Sequence, residues 1–242
     1  MLGIIGGTGL NAFHQGSVLA LTDTPYGAVS TAMIRSEIGG RSIVFLARHG
    51  SPHSIAPDKI NYRANIWALK HSGVTQVLAI NAVGGINPAM PAGALVIPDQ
   101  LIDYSYGRKQ TFYDGDDGRL EHIDFGEPFS QDLRQKVIDA AGACSLDIID
   151  GGVYGVTQGP RLETAAEINR MERDGCDVVG MTAMPEAALA RELQLDYASI
   201  CLVVNPAAGR GDSPITMADI HRVVDSGMIK VCHLLTQTIS TL

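Results

Sequence analysis

The chain has 242 residues, of which 45% are hydrophobic and 18% charged, and its formal net charge is −8. It contains no run of Lys or Arg, so it lacks the concentrated basic patch that a nucleic-acid or anionic-membrane partner requires. No apolar run reaches the roughly 18 residues of a membrane span, and the first residues do not resemble a signal peptide. We therefore expect one domain over residues 1–242, cytoplasmic, with its four cysteines unpaired.

The first half of the chain is predicted to consist mainly of strands separated by glycine turns. Gly39-Gly40 is typical of a hairpin, and Gly73 ends the one clear helical pattern. The predicted strands are Leu2–Ile5, Thr31–Arg35, Ser42–Ala47, Gln76–Ile80, Ala94–Ile97 and Leu101–Tyr104, and the predicted helix is Tyr62–His71.

In the second half, apolar strands alternate with helices. The predicted helices are Gln131–Ala143, Thr164–Arg173, Pro185–Leu193 and Met217–Ile239, and the predicted strands are Gly152–Thr157, Asp177–Met181 and Tyr197–Val204. This alternation predicts an α/β fold with a central mixed, largely parallel β-sheet flanked by helices on both faces. Ligands bind beyond the carboxyl ends of such strands, and we predict strand ends at Gly6, Asn81 and Asn205.

Two of the strand-end loops carry groups suited to an anion. Residues 7–12 satisfy the pattern G-x-G-x-x-A, but a hairpin follows instead of a βαβ unit, so we reject a dinucleotide cofactor. The glycine turn still exposes backbone N–H groups beside the Thr8 hydroxyl, a plausible phosphate cradle that is also compatible with an empty turn. After the third predicted strand, Arg48 offers a planar fork to phosphate oxygens, and His49 and His53 add donors. These three favour an anion site over a solvated loop.

Other candidates have ordinary structural explanations when each is taken alone. Met181 follows a buried strand and is typical of core packing, whereas Thr182 is typical of a helix N-cap. Glu163 and Glu167 fit the first turn of a helix.

Together these segments resemble the trimeric purine nucleoside phosphorylase and methylthioadenosine phosphorylase family. The resemblance covers nearly the whole chain and is carried by IIGGTGL, LARHGSPHSIAPDKINYRANIWALK, NAVGGINP, GPRLETAAEI and DVVGMTAMPEAALARE. It implies the nucleoside phosphorylase fold and phosphorolysis of an N-glycosidic bond, as in purine salvage, with inorganic phosphate as co-substrate and neither a metal nor an organic cofactor. The phosphate contacts that it implies are Thr8, Arg48, His49, the backbone N–H of Ala82, and Thr182, with Met181 under the sugar.

The resemblance also bears on the purine base. Where the adenine-specific branch has an aspartate-rich D-x-D, this chain has Asn205-Pro206-Ala207, as in the 6-oxopurine branch. The Asn205 amide can donate to O6 of hypoxanthine or guanine and accept from a protonated N7. Leu162 replaces an aromatic residue of the adenine branch, and Glu163 follows it, where its carboxylate can accept from N1–H. A 6-oxopurine is therefore favoured over adenine.

At the 5′ end of the sugar, the chain departs from the oxopurine enzymes. Their histidine is replaced by apolar Met217 and Ile220 at the start of the terminal helix, unless the neighbouring His221 takes its place. His122 resembles the residue that a neighbouring subunit lends to this pocket, which implies a homotrimer. We therefore expect S-methyl-5′-thioinosine as substrate. A general inosine/guanosine phosphorylase, a methylthioadenosine phosphorylase and a non-catalytic nucleoside-binding module remain alternatives.

Overall fold

A computed structural model describes residues 1–7, 10, 16–21, 23–115 and 118–242. The helices are α1 Tyr62–His71, α2 Gln131–Ala143, α3 Ala165–Arg173, α4 Ala183–Glu192 and α5 Met217–Thr241. The strands are β1 Leu2–Gly6, β2 Ser17–Val18, β3 Asp23–Thr24, β4 Gly27–Ala28, β5 Ile34–Ile38, β6 Arg41–Ala47, β7 Gln76–Gly85, β8 Leu95–Ile97, β9 Gln100–Asp103, β10 Ile149–Asp150, β11 Val153–Val156, β12 Val178–Gly180 and β13 Asp196–Pro206. None of the described helices is both long enough and apolar enough to cross a bilayer.

Eleven of the described strands form one mixed sheet, in the order β10-β8-β13-β7-β1-β6-β5-β2, with β12 also paired to β7 and β11 joining β12 to β9. The central strands β13, β7, β1 and β6 are mutually parallel, whereas β12 runs antiparallel to β7. The expected largely parallel sheet is confirmed.

Two buried clusters lie on opposite faces of this sheet. Side chains of a strand alternate between faces, and accordingly Ile5 packs in a cluster with α1 and α4, whereas its neighbour Ile4 packs in one with α2 and α5. The long apolar face of α5 contributes Val231 and Leu234, both fully buried. Helices therefore cover both faces, as predicted.

The predicted elements differ from the structure mainly at their ends. The prediction that a strand ends at Asn81 is wrong, because β7 continues to Gly85. The strand predicted to end before Asn205 continues to Pro206, with a shift of register between Val203 and Asn205. Thr31–Arg35 is displaced, because β5 begins only at Ile34. Helix α4 begins at Ala183 instead of Pro185, across a non-helical Met184.

Candidate active site

The site is centred on a stretch of β7 that is paired with another strand along only one of its edges. Along the other edge, β1 pairs with β7 only as far as Ala79, and β12 pairs with it from Gly84. We call the unpaired interval between them the gap beside β7. Ala82 lies in this interval and is exposed, although the residues on either side of it are buried. Backbone groups of alternate strand residues point to the same edge, so the Ala82 N–H points the same way as the Ile80 carbonyl, which accepts from Nη1 of Arg48 at 3.1 Å.

Arg48 follows β6 and is almost completely buried in this gap. Its Nε and Nη2 donate to Oε1 and Oε2 of Glu186 at 2.7 and 2.8 Å, and the Tyr197 hydroxyl donates to the same carboxylate at 3.0 Å. Burial acts to lower the pKa of Arg48, but the carboxylate outweighs burial and raises it, so the guanidinium stays charged. Of its five N–H donors, two are left for a ligand.

His49 is held beside Arg48 as a neutral imidazole. Burial, followed by the charge of Arg48, lowers its pKa to about 4. Its Nδ1 lies 2.8 Å from the carbonyl of Ile55, and because a carbonyl can only accept, the ring proton is on Nδ1 and the lone pair on Nε2. The ring stacks on His53 with centroids 4.2 Å apart. His49 therefore presents an acceptor, suited to a phosphate that still carries a proton.

Thr182 brings a hydroxyl to the same gap. It occupies the N-cap position of α4, as its sequence context suggests, but its side chain makes no capping hydrogen bond. Instead its Oγ1 accepts from Nδ2 of Asn81 at 2.7 Å, while Oδ1 of Asn81 accepts from the Ser199 hydroxyl at 2.8 Å. Because this buried chain of hydrogen bonds makes Thr182 the acceptor from Asn81, the hydroxyl proton of Thr182 points to a different partner.

Thr8, the remaining predicted phosphate contact, lies outside the described residues. The start of its loop does reach the site. The N–H of Arg48 donates to the Gly6 carbonyl at 2.9 Å, and a Cβ on Gly7 would lie 3.8 Å from Cδ2 of His49. Gly6 and Gly7, which precede Thr8 in the chain, therefore adjoin Arg48 and His49.

The two predicted base-binding residues lie on either side of β12. Oε1 of Glu163 accepts from the Thr157 hydroxyl at 2.6 Å. The N–H of Thr157 in turn donates to the carbonyl of Gly180, at the end of β12, at 2.8 Å. Asn205 pairs with Gly84, the residue of β7 that also pairs with β12. Its Nδ2 donates to the Pro206 carbonyl at 2.6 Å, leaving a second Nδ2–H.

Sequence reasoning missed Arg108, which connects the base and phosphate regions. Nη1 donates to the carbonyls of Met181 and Met184 at 2.8 and 2.5 Å, and Nη2 donates to those of Thr157 and Gln158 at 3.1 and 2.8 Å. Met181, the predicted sugar contact, is thereby fixed through its backbone. Nothing in the local sequence around Arg108 indicates these partners, because all of them are distant along the chain.

Leu162 immediately precedes Glu163, whereas the other remaining predicted contacts stand apart from these groups. Leu162 and Met217 are 45% and 60% exposed, His122 is exposed, and Ile220 packs against the cluster that contains α5. Among the described residues, no hydrogen bond joins the side chain of His122, Met217 or Ile220 to Arg48 or Glu163. The structure of one chain therefore does not bring the predicted 5′ pocket together.

Two cavities are prominent among the described residues. A cavity of about 210 Å³ is lined by Thr157, Glu163, Tyr104, Tyr106 and Arg161 among others. A larger one, about 650 Å³, is bounded by residues 124–132 and by the end of α4. The larger cavity contains none of the predicted site residues, so we place the candidate active site at the gap beside β7 instead.

Comparison with known proteins gives a family match along almost the whole chain. The model of the phosphorylase superfamily matches residues 1–240. A protein of Pseudomonas syringae pv. tomato named "Probable S-methyl-5′-thioinosine phosphorylase" is 52% identical, over 98% of this chain and 97% of its own. The "6-oxopurine nucleoside phosphorylase" of Pyrococcus furiosus is 45% identical, over 90% of this chain and 84% of its own.

A solved structure agrees with the fold. Methylthioadenosine phosphorylase from Schistosoma mansoni in complex with adenine superposes with a TM-score of 0.92 at 31% identity, covering 99% of this chain and 91% of that one. The fold is therefore shared with an enzyme that was solved with bound adenine, whereas the names of the sequence relatives above refer to oxopurines.

Proposed function

Because the chain belongs to the phosphorylase superfamily, we propose that it catalyses phosphorolysis of a 6-oxopurine nucleoside, with S-methyl-5′-thioinosine as its substrate. The products are hypoxanthine and 5-methylthioribose 1-phosphate. The observation that carries the proposal is the Glu163 carboxylate, held by the Thr157 hydroxyl across β12 from the Asn205 amide. An acceptor for N1–H and a donor for O6 suit an oxopurine, whereas adenine presents a lone pair at N1 and a donor at N6.

In this proposal, phosphate binds in the gap beside β7. Arg48 supplies its two remaining N–H groups, Ala82 its backbone N–H and Thr182 its hydroxyl, with Thr8 from the glycine turn. Nε2 of His49 accepts a hydrogen bond from the protonated oxygen of the phosphate. Since Glu186 already balances the charge of Arg48, binding depends on oriented donors more than on net positive charge.

The reaction follows from holding phosphate beside the sugar. A phosphate oxygen forms a bond to C1′ while the C1′–N9 bond breaks, and the electron pair of that bond moves into the purine. N7 then takes a proton from solvent, and Asn205 stabilises the leaving base by donating to O6 and accepting from N7–H. The oriented anion is both the nucleophile and the counter-charge for the cationic sugar.

The 5′ pocket requires a second copy of the chain. Met217 and Ile220 supply apolar contacts for a methylthio group, Leu162 lies at the base, and His122 of a neighbouring subunit completes the pocket. The exposure of Leu120, at 71%, supports burial of this segment in an assembly. We therefore include a homotrimer in the proposal.

The proposal places the enzyme in the cytoplasm. Cys144, Cys176, Cys201 and Cys232 are all unpaired, which fits a reducing compartment.

Phosphate dependence is the first test of the proposed reaction. Purified protein is incubated with S-methyl-5′-thioinosine, with and without inorganic phosphate, and free hypoxanthine is measured. We expect release only with phosphate, together with one equivalent of 5-methylthioribose 1-phosphate. Release at the same rate without phosphate would indicate a hydrolase, and binding without release in either condition would indicate a non-catalytic module.

A further inference from the structure

Arg108 lies where the backbone pairing of two neighbouring strands ends. Strands β11 and β12 are parallel and pair as far as Val156 and Gly180, and the N–H of Thr157 makes one more bond, to the Gly180 carbonyl at 2.8 Å. Beyond that bond, no backbone hydrogen bond among the described residues joins residues 157–159 after β11 to residues 181–184 after β12. The separation of these two segments therefore depends on side chains.

The guanidinium of Arg108 joins the two segments directly. Its Nη1 donates to the carbonyls at both ends of the segment after β12, those of Met181 and Met184. Its Nη2 donates to the carbonyls of Thr157 and Gln158 in the segment after β11. Because the donors of a guanidinium form a rigid planar fork, the position of one segment fixes the position of the other.

Each segment is connected to a different half of the proposed site. On the side of the base, the Thr157 hydroxyl donates to Oε1 of Glu163 at 2.6 Å. On the side of the phosphate, Oγ1 of Thr182 accepts from Nδ2 of Asn81 at 2.7 Å. Neither of these contacts includes Arg108. Loss of Arg108 therefore changes the position of the two halves relative to each other more than it changes either half.

We propose that Arg108 is a positioning residue that aligns the phosphate with the nucleoside by holding the two segments at a fixed separation. The inference rests on the proposed function, and it adds a residue that acts without touching either substrate. Misplacement of the reacting groups by about 1 Å can lower a rate about a hundredfold. Loss of alignment lowers kcat, whereas loss of a contact made equally in the ground state and the transition state raises KM.

Three variants test this role. Arg108→Met removes the donors, Arg108→Lys keeps the charge without the fork, and Arg134→Met is the matched control. The buried guanidinium of Arg134 also holds backbone carbonyls, those of Pro98 and Ile97 at 2.9 and 3.1 Å, but it contacts none of the proposed site residues. We expect both Arg108 variants to lower kcat by about tenfold to a hundredfold, with the KM of phosphate and of nucleoside within about threefold of the wild type. Arg134→Met should lower the Tm and keep the wild-type kcat.

Hydrogen exchange gives a second measurement, which does not depend on turnover. Exchange of the amides in residues 157–159 and 181–184 is compared among the wild type and the three variants, and we expect it to be faster only in the two Arg108 variants. A wild-type kcat in either Arg108 variant, a raised KM in place of a lowered kcat, or unchanged exchange would overturn the inference. A wild type that releases no purine would contradict the proposed function alone, because exchange still reports whether Arg108 holds the segments together.

Discussion

At the scale of single residues, the proposal makes Arg48 a phosphate ligand as well as the buried partner of Glu186. Both side chains are buried, so Arg48→Ala leaves a carboxylate without its partner, which costs about 3–5 kcal/mol of the free energy of unfolding. The double variant Arg48→Met/Glu186→Gln removes both charges and is expected to recover most of that loss. Urea unfolding of the three proteins measures the difference.

If the double variant regains stability, the role of Arg48 in stability can be measured apart from its proposed role in phosphate binding. The double variant still lacks the donors to phosphate, so we expect its phosphate KM to be raised at least tenfold while it remains folded. A phosphate KM like that of the wild type in the folded double variant would show that Arg48 is only structural.

His49 gives a pH dependence of stability. An unfolded histidine titrates near pH 6.5, whereas burial and then Arg48 lower the pKa of His49 in the folded chain to about 4. Between these values the unfolded chain binds more protons, so the contribution of His49 is complete above pH 6.5 and is lost as the pH falls towards 4. Without phosphate, the Tm of the wild type should fall over this interval more steeply than that of His49→Gln. Parallel curves for the two proteins would contradict this protonation state.

At the scale of elements, the loop after β13 is docked on α3. Nη1 and Nη2 of Arg210 donate to Asn169 and Glu172 at 2.9 and 2.8 Å. Gly209 has φ +75°, and a Cβ there would lie 2.8 Å from that of Ala165. This contact places the loop next to the segment that carries Glu163.

Gly209→Ala should therefore disturb the base site selectively. A left-handed alanine costs about 1–2 kcal/mol, and the clash with Ala165 pushes the loop away from α3, so we expect a raised nucleoside KM with an unchanged phosphate KM. Gly211→Ala is the matched control, because its nearest contact would be 3.5 Å and its φ is not positive. Equal effects of the two substitutions on nucleoside KM would contradict the docking of the loop.

Sequence reasoning predicts the elements of this fold better than their junctions. Helix α2 has the predicted bounds because its apolar period and its Ser130 cap are local signals. The extension of β7 through Asn81 is set by its pairing with β13 and β12, which a local pattern cannot show. Likewise, Glu186 follows Pro185 like any acid in the first turn of a helix, and only the fold brings it to Arg48, 138 residues away along the chain.

At the scale of the whole molecule, the proposed assembly has a direct test. In the proposed trimer, His122 belongs to the site of a neighbouring subunit, whereas Glu163 belongs to its own. Mixed trimers of His122→Ala and Glu163→Gln should therefore regain activity, because some sites combine an intact Glu163 with an intact His122. We expect a trimer in sedimentation and activity in the mixture well above that of either variant. A fully active monomer, or a mixture no more active than its components, would contradict the shared pocket.

The choice between an oxopurine and adenine is the central claim, and one pair of rate constants tests it. The kcat/KM of the wild type is measured at saturating phosphate for S-methyl-5′-thioinosine and S-methyl-5′-thioadenosine. In the proposed base site, adenine leaves Glu163 without an N1–H donor and Asn205 without an O6 acceptor, so we predict a preference of about a hundredfold or more for the inosine compound. A preference for the adenine compound, or equal values, would contradict the account of the base site.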